Sequence, residues 1–355
     1  MPHPPAVEAV DLVKTFGKGA RAVHALRGIS FQVPAATVFG LLGPNGAGKS
    51  TTVRILSTLA APDAGHASVA GLDVRRAPDA VRRALGYVSQ RPGFDPMATG
   101  RENLMLQARL QAVPARQARR RTQELLGRFD LLEAADRLCR TWSGGMQRKL
   151  DVAMGLVHDP RVLFLDEPTT GLDPQARREL WDEIARLARH EQVSVLLTTH
   201  YLEEADQLAD HLLIIDDGRI VAQGTPEELK AALGSDTVRL ELADRDDAAR
   251  ARAALGALPG VSGALADETA VSARVADGVD ALPGVLAALR RAGVRAGSVA
   301  VASPSLDDVY LHHAGRRFRE TVPDVPTAST PGSTAASAST TAPTSGGGGR
   351  EQVQA

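Results

Sequence analysis

The chain has 355 residues, with 41 lysines and arginines against 42 aspartates and glutamates and a formal net charge of −1, a balance that excludes a global field drawing it onto nucleic acid. A single cysteine, Cys139, excludes an internal disulfide, and the N-terminus MPHPPAVEAV lacks the charged and apolar blocks of a signal peptide. No apolar run approaches the ~20 residues that span a bilayer, so a cytosolic chain is expected, with any membrane part supplied by another polypeptide.

From about residue 5 to 230, short apolar runs alternate with helical stretches, the pattern of an α/β domain whose parallel strands are buried on both faces. TVFGLLG (37–43) is the first clear strand, followed by GPNGAGKS and the helical STTVRILSTLA. Between about 94 and 158 the chain turns helical, with ENLMLQARL and RRRTQELLGRF both amphipathic, and a helical subdomain is expected there. Strands resume at VLFLD (162–166), VSVLLTTH (193–200) and HLLIID (211–216), which carries the first domain over residues 1–232. The Ala-rich stretch that follows reads as TVRLEL, a helix over 246–257, VSGALA, AVSARV, a helix over 280–292, and RAGSVAVA. That order is βαββαβ, a ferredoxin-like α+β domain expected over 235–316. From 320 to 355 Thr, Ser, Pro, Ala and Gly dominate, and such a segment buries too little apolar surface to offset chain entropy, so a disordered tail is expected.

GPNGAGKS fits G-x-x-x-x-G-K-S/T between a strand and a helix, the context that gives the pattern its meaning. The glycines let the backbone of Gly43, Pro44, Asn45, Gly46, Ala47 and Gly48 wrap the phosphates, Lys49 offers a point charge between the β- and γ-phosphates, Ser50 can ligate Mg²⁺, and Thr51 is expected among the nucleotide-binding residues. VLFLDEP supplies the complementary half. Asp166 ends a strand, where ligands of open α/β sheets collect, and is placed to hold Mg²⁺; Glu167, one residue on, points elsewhere and suits a general base that polarises water. A second anion-binding feature is WSGGMQ, where Ser143, Gly144 and Gly145 sit at a helix start and let a ligand approach backbone N–H groups at the positive end of the dipole. Why one chain carries two such features is not answered by composition.

These motifs, with Gln90 in YVSQ, GLD at 171–173 and TTH ending at His200, resemble the ATP-binding cassette (ABC) family of transport ATPases over residues 6–230. The resemblance implies a P-loop NTPase fold, ATP and Mg²⁺ as ligands, and a head-to-tail homodimer in which Ser143, Gly144 and Gly145 of one copy face the γ-phosphate held by the other, with Gln147 nearby. It further implies that Gln90 contacts Mg²⁺ and the attacking water, that Asp173 communicates between the two sites, that His200 contacts the γ-phosphate, and that Phe16 stacks on adenine. The signature reads WSGGMQ where LSGGQ is more common, Met146 being taken as an insertion that shifts Gln147 by one position.

Toward the C-terminus, PSLDDVYLHHAGR (304–316), TGRENL (99–104) and GTPEELKAALGSD resemble the daunorubicin-resistance group of drug-export ATPases, with departures at Tyr310 and His312–Ala314. That group implies export of an antibiotic-like or lipid-like compound by a separate integral membrane permease, with this chain on the cytoplasmic side of the membrane; the βαββαβ domain is expected to steady the homodimer or meet the permease. A cassette acting on a non-transport partner is the main rival, and polysaccharide or lipid export a second. The arginine run ARQARRR (115–121) is read as a solvated helix face, Cys139 as packing, His158 as helix termination, and His312–His313 as lacking the further ligands a metal needs.

Overall fold

The computed structural model describes residues 4–234 and 236–314. In chain order the elements are β1 (Val7–Phe16), β2 (Val23–Val33), β3 (Val38–Leu42), α1 (Lys49–Leu56), β4 (Ala64–Val69), β5 (Leu72–Asp73), α2 (Pro78–Ala84), β6 (Leu85–Val88), α3 (Gly100–Leu110), α4 (Ala115–Arg128), α5 (Gly144–Gly155), β7 (Val162–Asp166), α6 (Pro174–Glu191), β8 (Ser194–Thr199), α7 (Leu202–Leu208), β9 (His211–Asp216), β10 (Arg219–Gly224) and α8 (Pro226–Ala231). There follow β11 (Asp236–Leu242), α9 (Ala248–Gly256), β12 (Val261–Asp267), β13 (Ala270–Val275), α10 (Gly278–Arg291), β14 (Ala296–Ala302) and α11 (Leu306–Ala314). The tail expected over 320–355 lies outside the described residues.

The early part of the chain departs from the parallel α/β pattern. In β2, Leu26, Ile29, Phe31 and Val33 are buried while their neighbours are exposed, an alternation suited to a sheet covered on one face. Accordingly β1 pairs antiparallel with β2 and β4, and the sheet runs β2-β1-β4-β5. The central sheet is the expected one: β9, β3, β8, β7 and β6 are parallel neighbours, with β10 added antiparallel at the β9 edge. Every residue of β3, β7 and β8 is buried because both faces are covered. Phe39, Leu41, Phe164 and Leu196 point into the core shared with α1 and the antiparallel sheet, whereas Val38, Leu163, Leu165, Val195 and Leu197 point into the core shared with α3 to α6.

Register then brings the chemistry together. Leu42 lies opposite Thr199, and Asp166 opposite Thr198, so the loop after β3, the residue after β7 and the residue after β8 emerge side by side at the carboxyl ends of the strands.

The third sheet has the order β12-β13-β11-β14, all antiparallel, with α9 and α10 packed on one face, which is the ferredoxin-like arrangement. The chain then returns. Leu306, Val309 and Tyr310 of α11 are buried with Ala205 and Ala209 beside α7, Leu212 and Ile214 of β9, and Leu229 of α8. Tyr310 is 1% exposed and is the largest fully buried side chain among the described residues. Tyr310→Ala is expected to lower the unfolding free energy by about 3 kcal/mol, read from equilibrium urea unfolding; a loss under about 0.5 kcal/mol would show that α11 does not depend on this side chain.

Candidate functional site

The glycine-rich loop is shaped by backbone that approaches it from two sides. Gly48, the N-cap of α1, sits at φ 116°, and a Cβ there would meet the Ala25 carbonyl oxygen at 2.6 Å. A Cβ at Gly43 would run into the Ile215 carbonyl. Lys49 is 4% exposed, its Nζ donating to the carbonyls of Gly43 at 2.6 Å and Pro44 at 3.2 Å, and burial pulls its pKa down while Glu167 and Asp166 pull it back up. The cleft above the loop is lined by Pro44, Asn45, Gly46, Gly48, Lys49, Ser50 and Thr51, with Gln90 and Glu167 completing it. Gly43 and Ala47 do not line it; Ala47 is a core residue.

Facing the lysine are the two carboxylates. Thr198 donates its hydroxyl to Asp166 Oδ1 at 2.6 Å; burial pushes the Asp166 pKa up, Thr198 opposes this, and the charge of Glu167 adds to it. At Glu167 the chain turns out of the strand with φ 50°, its N–H held by Thr198. A non-glycine residue in that region costs of order 1 kcal/mol and is found where the surroundings over-determine it. Here they do: Gln90 Nε2 donates to Oε2 at 2.9 Å, and His200 Nδ1 lies 3.0 Å from Oε1, within ion-pair reach though off the line of a well-directed hydrogen bond. Burial works to raise the Glu167 pKa, yet His200, Lys49 and Thr170 together leave it below the usual carboxylate value. Gln90, Lys49, Ser50, Asp166, Glu167 and His200 therefore form one constellation.

The remaining expected residues lie elsewhere. Phe16 ends β1 at 42% exposure, with Lys14 Nζ 5.4 Å from its ring, so it is no core phenylalanine, and it does not line the cleft. Ser143 is the N-cap of α5, accepting from the Met146 N–H, and the helix runs on without interruption through Met146 and Gln147. The two glycines differ: a Cβ on Gly144 would meet open space, whereas one on Gly145 would press within 2.9 Å of Ala176 Cβ on α6, which makes Gly145 a packing residue. Gln147 turns backward, its amide donating to the carbonyl of Cys139 at 2.9 Å. Asp173 is exposed and caps α6, accepting from Gln175 and Ala176 N–H groups.

Comparison with known proteins follows this geometry. Residues 26–170 match the family model "ABC transporter", and residues 224–314 match "ATP-binding protein DrrA1-3-like, C-terminal domain". The daunorubicin resistance ATP-binding protein DrrA3 of Streptomyces coeruleorubidus is 48% identical over 83% of this chain and 93% of its own length. The doxorubicin resistance ATP-binding protein DrrA of Mycobacterium tuberculosis is 44% identical over 86% of this chain and 92% of its own. Among solved structures, cbiO1 of Clostridium perfringens, part of the ABC transporter complex cbiONQ, superposes with a TM-score of 0.60 at 26% identity, covering 64% of this chain and 92% of that one. The chain belongs to the ABC transporter ATP-binding family. It is an ABC ATPase whose relatives are ATP-binding subunits of drug-resistance transporters.

Two residues that sequence reasoning missed hold this ABC ATPase site in place. Arg148 on α5 is 8% exposed and donates to the carbonyls of Ser89, Asp166, Glu167 and Pro168 at 2.7–3.2 Å, with Asp151 3.7 Å away. Glu204 on α7 is 1% exposed; its Oε1 accepts from Thr169 Oγ1 at 2.9 Å and Trp181 Nε1 at 3.1 Å. It ties the helix after His200 to the loop after Glu167. Burial raises its pKa, with Thr199, Thr169 and Trp181 opposing. The sign follows from proton counting: the folded state holds a proton that the unfolded chain has released above about pH 4.3, so stability falls as pH rises from there toward the raised folded value. Glu204→Gln is therefore expected to keep the Thr169 and Trp181 bonds while flattening this part of the pH dependence. Urea midpoints of both proteins across the acid-to-neutral range test it, and parallel curves would contradict it.

Proposed function

We propose that the chain is the ATP-binding and hydrolysing subunit of an exporter, acting as a homodimer on the cytoplasmic face of the cell membrane and powering efflux of a drug-like or antibiotic-like compound through a separate integral membrane permease. What carries the reading is coverage: the likeness to drug-resistance subunits runs through the cassette and on through residues 224–314.

The residues present fit ATP and Mg²⁺. The loop offers backbone N–H groups where the glycines have no Cβ, Lys49 offers charge, and the remaining donors, Ser50 hydroxyl, Asp166 carboxylate and the Gln90 carbonyl oxygen, are all hard oxygens. A magnesium site of this kind needs one carboxylate and substrate phosphates, not a cage of protein ligands. Mg²⁺ when bound supplies neutralisation of the β- and γ-phosphate oxygens. Lys49 neutralises the same oxygens from the loop side. Glu167, ionised because its pKa is held down, accepts the proton of the attacking water. His200 fixes Oε1 of that carboxylate and reaches the γ-phosphate, while Gln90 fixes Oε2. Ser143 and Gly144 of a second copy close the site from the other side, which accounts for two anion-binding features in one chain. Asp173 lies at the junction between copies, and Phe16 stacks on adenine at the exposed end of β1.

Glu167→Gln keeps the side-chain volume and removes the base. ATP turnover is expected to fall by about 10²–10⁴-fold with ATP binding retained, and gel filtration with ATP should then show a dimer. Turnover at the wild-type rate, or a monomer under saturating ATP, would overturn the assignment.

A further inference from the structure

Between Glu102 and Glu124 the chain carries five arginines and no aspartate or glutamate, although the whole chain is near neutral. The structure divides the five. Arg121 is turned inward to the Leu156 carbonyl, Asp159 and Glu124, and is part of the packing. Arg109 on α3 and Arg116, Arg119 and Arg120 on α4 are exposed. Arg109, Arg116 and Arg119 enter no ion pair with any described residue, and the Arg120–Glu124 pair is open to water at 73% and 48% side-chain exposure. Arg116, Arg119 and Arg120 follow i, i+3, i+4 spacing, so they share one stripe of α4.

The antiparallel helices α3 and α4 turn into each other through residues 111–114 and bury their inner faces, Leu104 and Ala108 with Ala118, Leu125 and Leu126, in one core. On the outer side of α3, Leu106 and Leu110 are 51% and 73% exposed, one turn apart, with Arg109 between them. Two exposed leucines flanking the unpaired Arg109 differ from an ordinary solvated face. On α6 acids are interleaved with the arginines: Arg186 pairs with Glu183 and Glu191, and Glu179 pairs with Lys149, while Arg178 and Arg189 are exposed and enter no ion pair with a described residue. On α4 the like charges at Arg116 and Arg120 repel along the helix, and Glu124 is the one acid the helix carries.

We propose that the α3–α4 corner is a docking surface for an anionic lipid bilayer. A lipid surface offers both halves of the match, phosphate headgroups for the arginines and shallow apolar depth for Leu106 and Leu110. Nucleic acid would satisfy the arginines and leave the leucines without a partner. The proposal does not depend on which compound is exported or on the assigned base, since the bilayer contact is made by the chain itself.

The test is co-sedimentation of the full chain, without permease, with vesicles of phosphatidylcholine alone or of phosphatidylcholine containing phosphatidylglycerol. Binding is expected to the phosphatidylglycerol vesicles, weakening as salt rises, and to be weak on phosphatidylcholine. Replacing Arg116, Arg119 and Arg120 together by Ser should weaken partitioning by about a hundredfold, at about fivefold per arginine, with melting temperature and ATP turnover unchanged. Replacing Leu106 and Leu110 by Ser should weaken it on the same vesicles. Equal binding to both vesicle types, no binding at all, an arginine variant that binds like the wild type, or a preference for duplex DNA over phosphatidylglycerol vesicles would each overturn the proposal.

Discussion

One guanidinium holds the catalytic end of this molecule together. Arg148 projects from α5, the helix capped by Ser143, and gathers carbonyl oxygens from the Gln90 loop and from Asp166, Glu167 and Pro168 at the end of β7. The planar fork presents five donors in fixed directions, a geometry that lysine does not reproduce. Burial of the cation is balanced by Asp151, whose other oxygen accepts from the Gly93 N–H, so the carboxylate in turn ties down the far end of the same loop. A charge buried among its partners is costly to strip of any of them. The helix start at Ser143, the amide of Gln90 and the backbone of Glu167 are consequently parts of one rigid assembly, and a force applied at any of them is felt at the others.

This rigidity explains how Glu167 persists in a conformation that non-glycine residues avoid. Its N–H is fixed by Thr198, its carbonyl by Arg148, and its two carboxylate oxygens by Gln90 and His200. The restraints come from three separate segments, the end of β8, α5 and the Gln90 loop, which is what over-determination means physically. The arrangement also separates the two acids. Asp166 is buried at the end of β7 with its pKa raised by that burial, whereas at Glu167, against the upward push of its own burial, His200, Lys49 and Thr170 hold the pKa below the usual carboxylate value. Adjacent carboxyls with opposite shifts are suited to different tasks.

How much of this could be read from the sequence follows from how local each signal is. The phosphate loop was legible because its pattern, strand and helix are contiguous, and β3, β7, β8 and β9 were legible because burial on both faces leaves almost nothing polar in them. The βαββαβ order at the C-terminus was legible from turn signals and alternation. The antiparallel sheet was missed because polar residues recur through β1 and β2 at irregular spacing, which blends with loop sequence. Arg148 and Glu204 were missed for a different reason: Arg148's carbonyl partners lie 18 to 59 residues away, and Thr169 lies 35 residues from Glu204, so spacing carries no trace of them. For Gly145 and Gln147 the motif pattern alone carries no trace of the close approach to Ala176 or the bond to the Cys139 carbonyl, which seat the helix.

The last helix joins this network from outside. On α7, Glu204 faces the loop after Glu167, while Ala205, its neighbour, is buried with Val309 and Tyr310 of α11. A helix of 7 residues has little stability of its own, so its position is set by what it packs against on each side. One side is the strand end that carries His200; the other is the closing segment of the accessory sheet. The C-terminal domain therefore does not hang from the cassette by a linker alone, because its closing helix supplies part of the floor on which the His200 segment rests. A displacement of α11 would open the apolar contact that Tyr310 makes beside α7, and that cost couples α11 to the helix whose Glu204 holds the loop after Glu167.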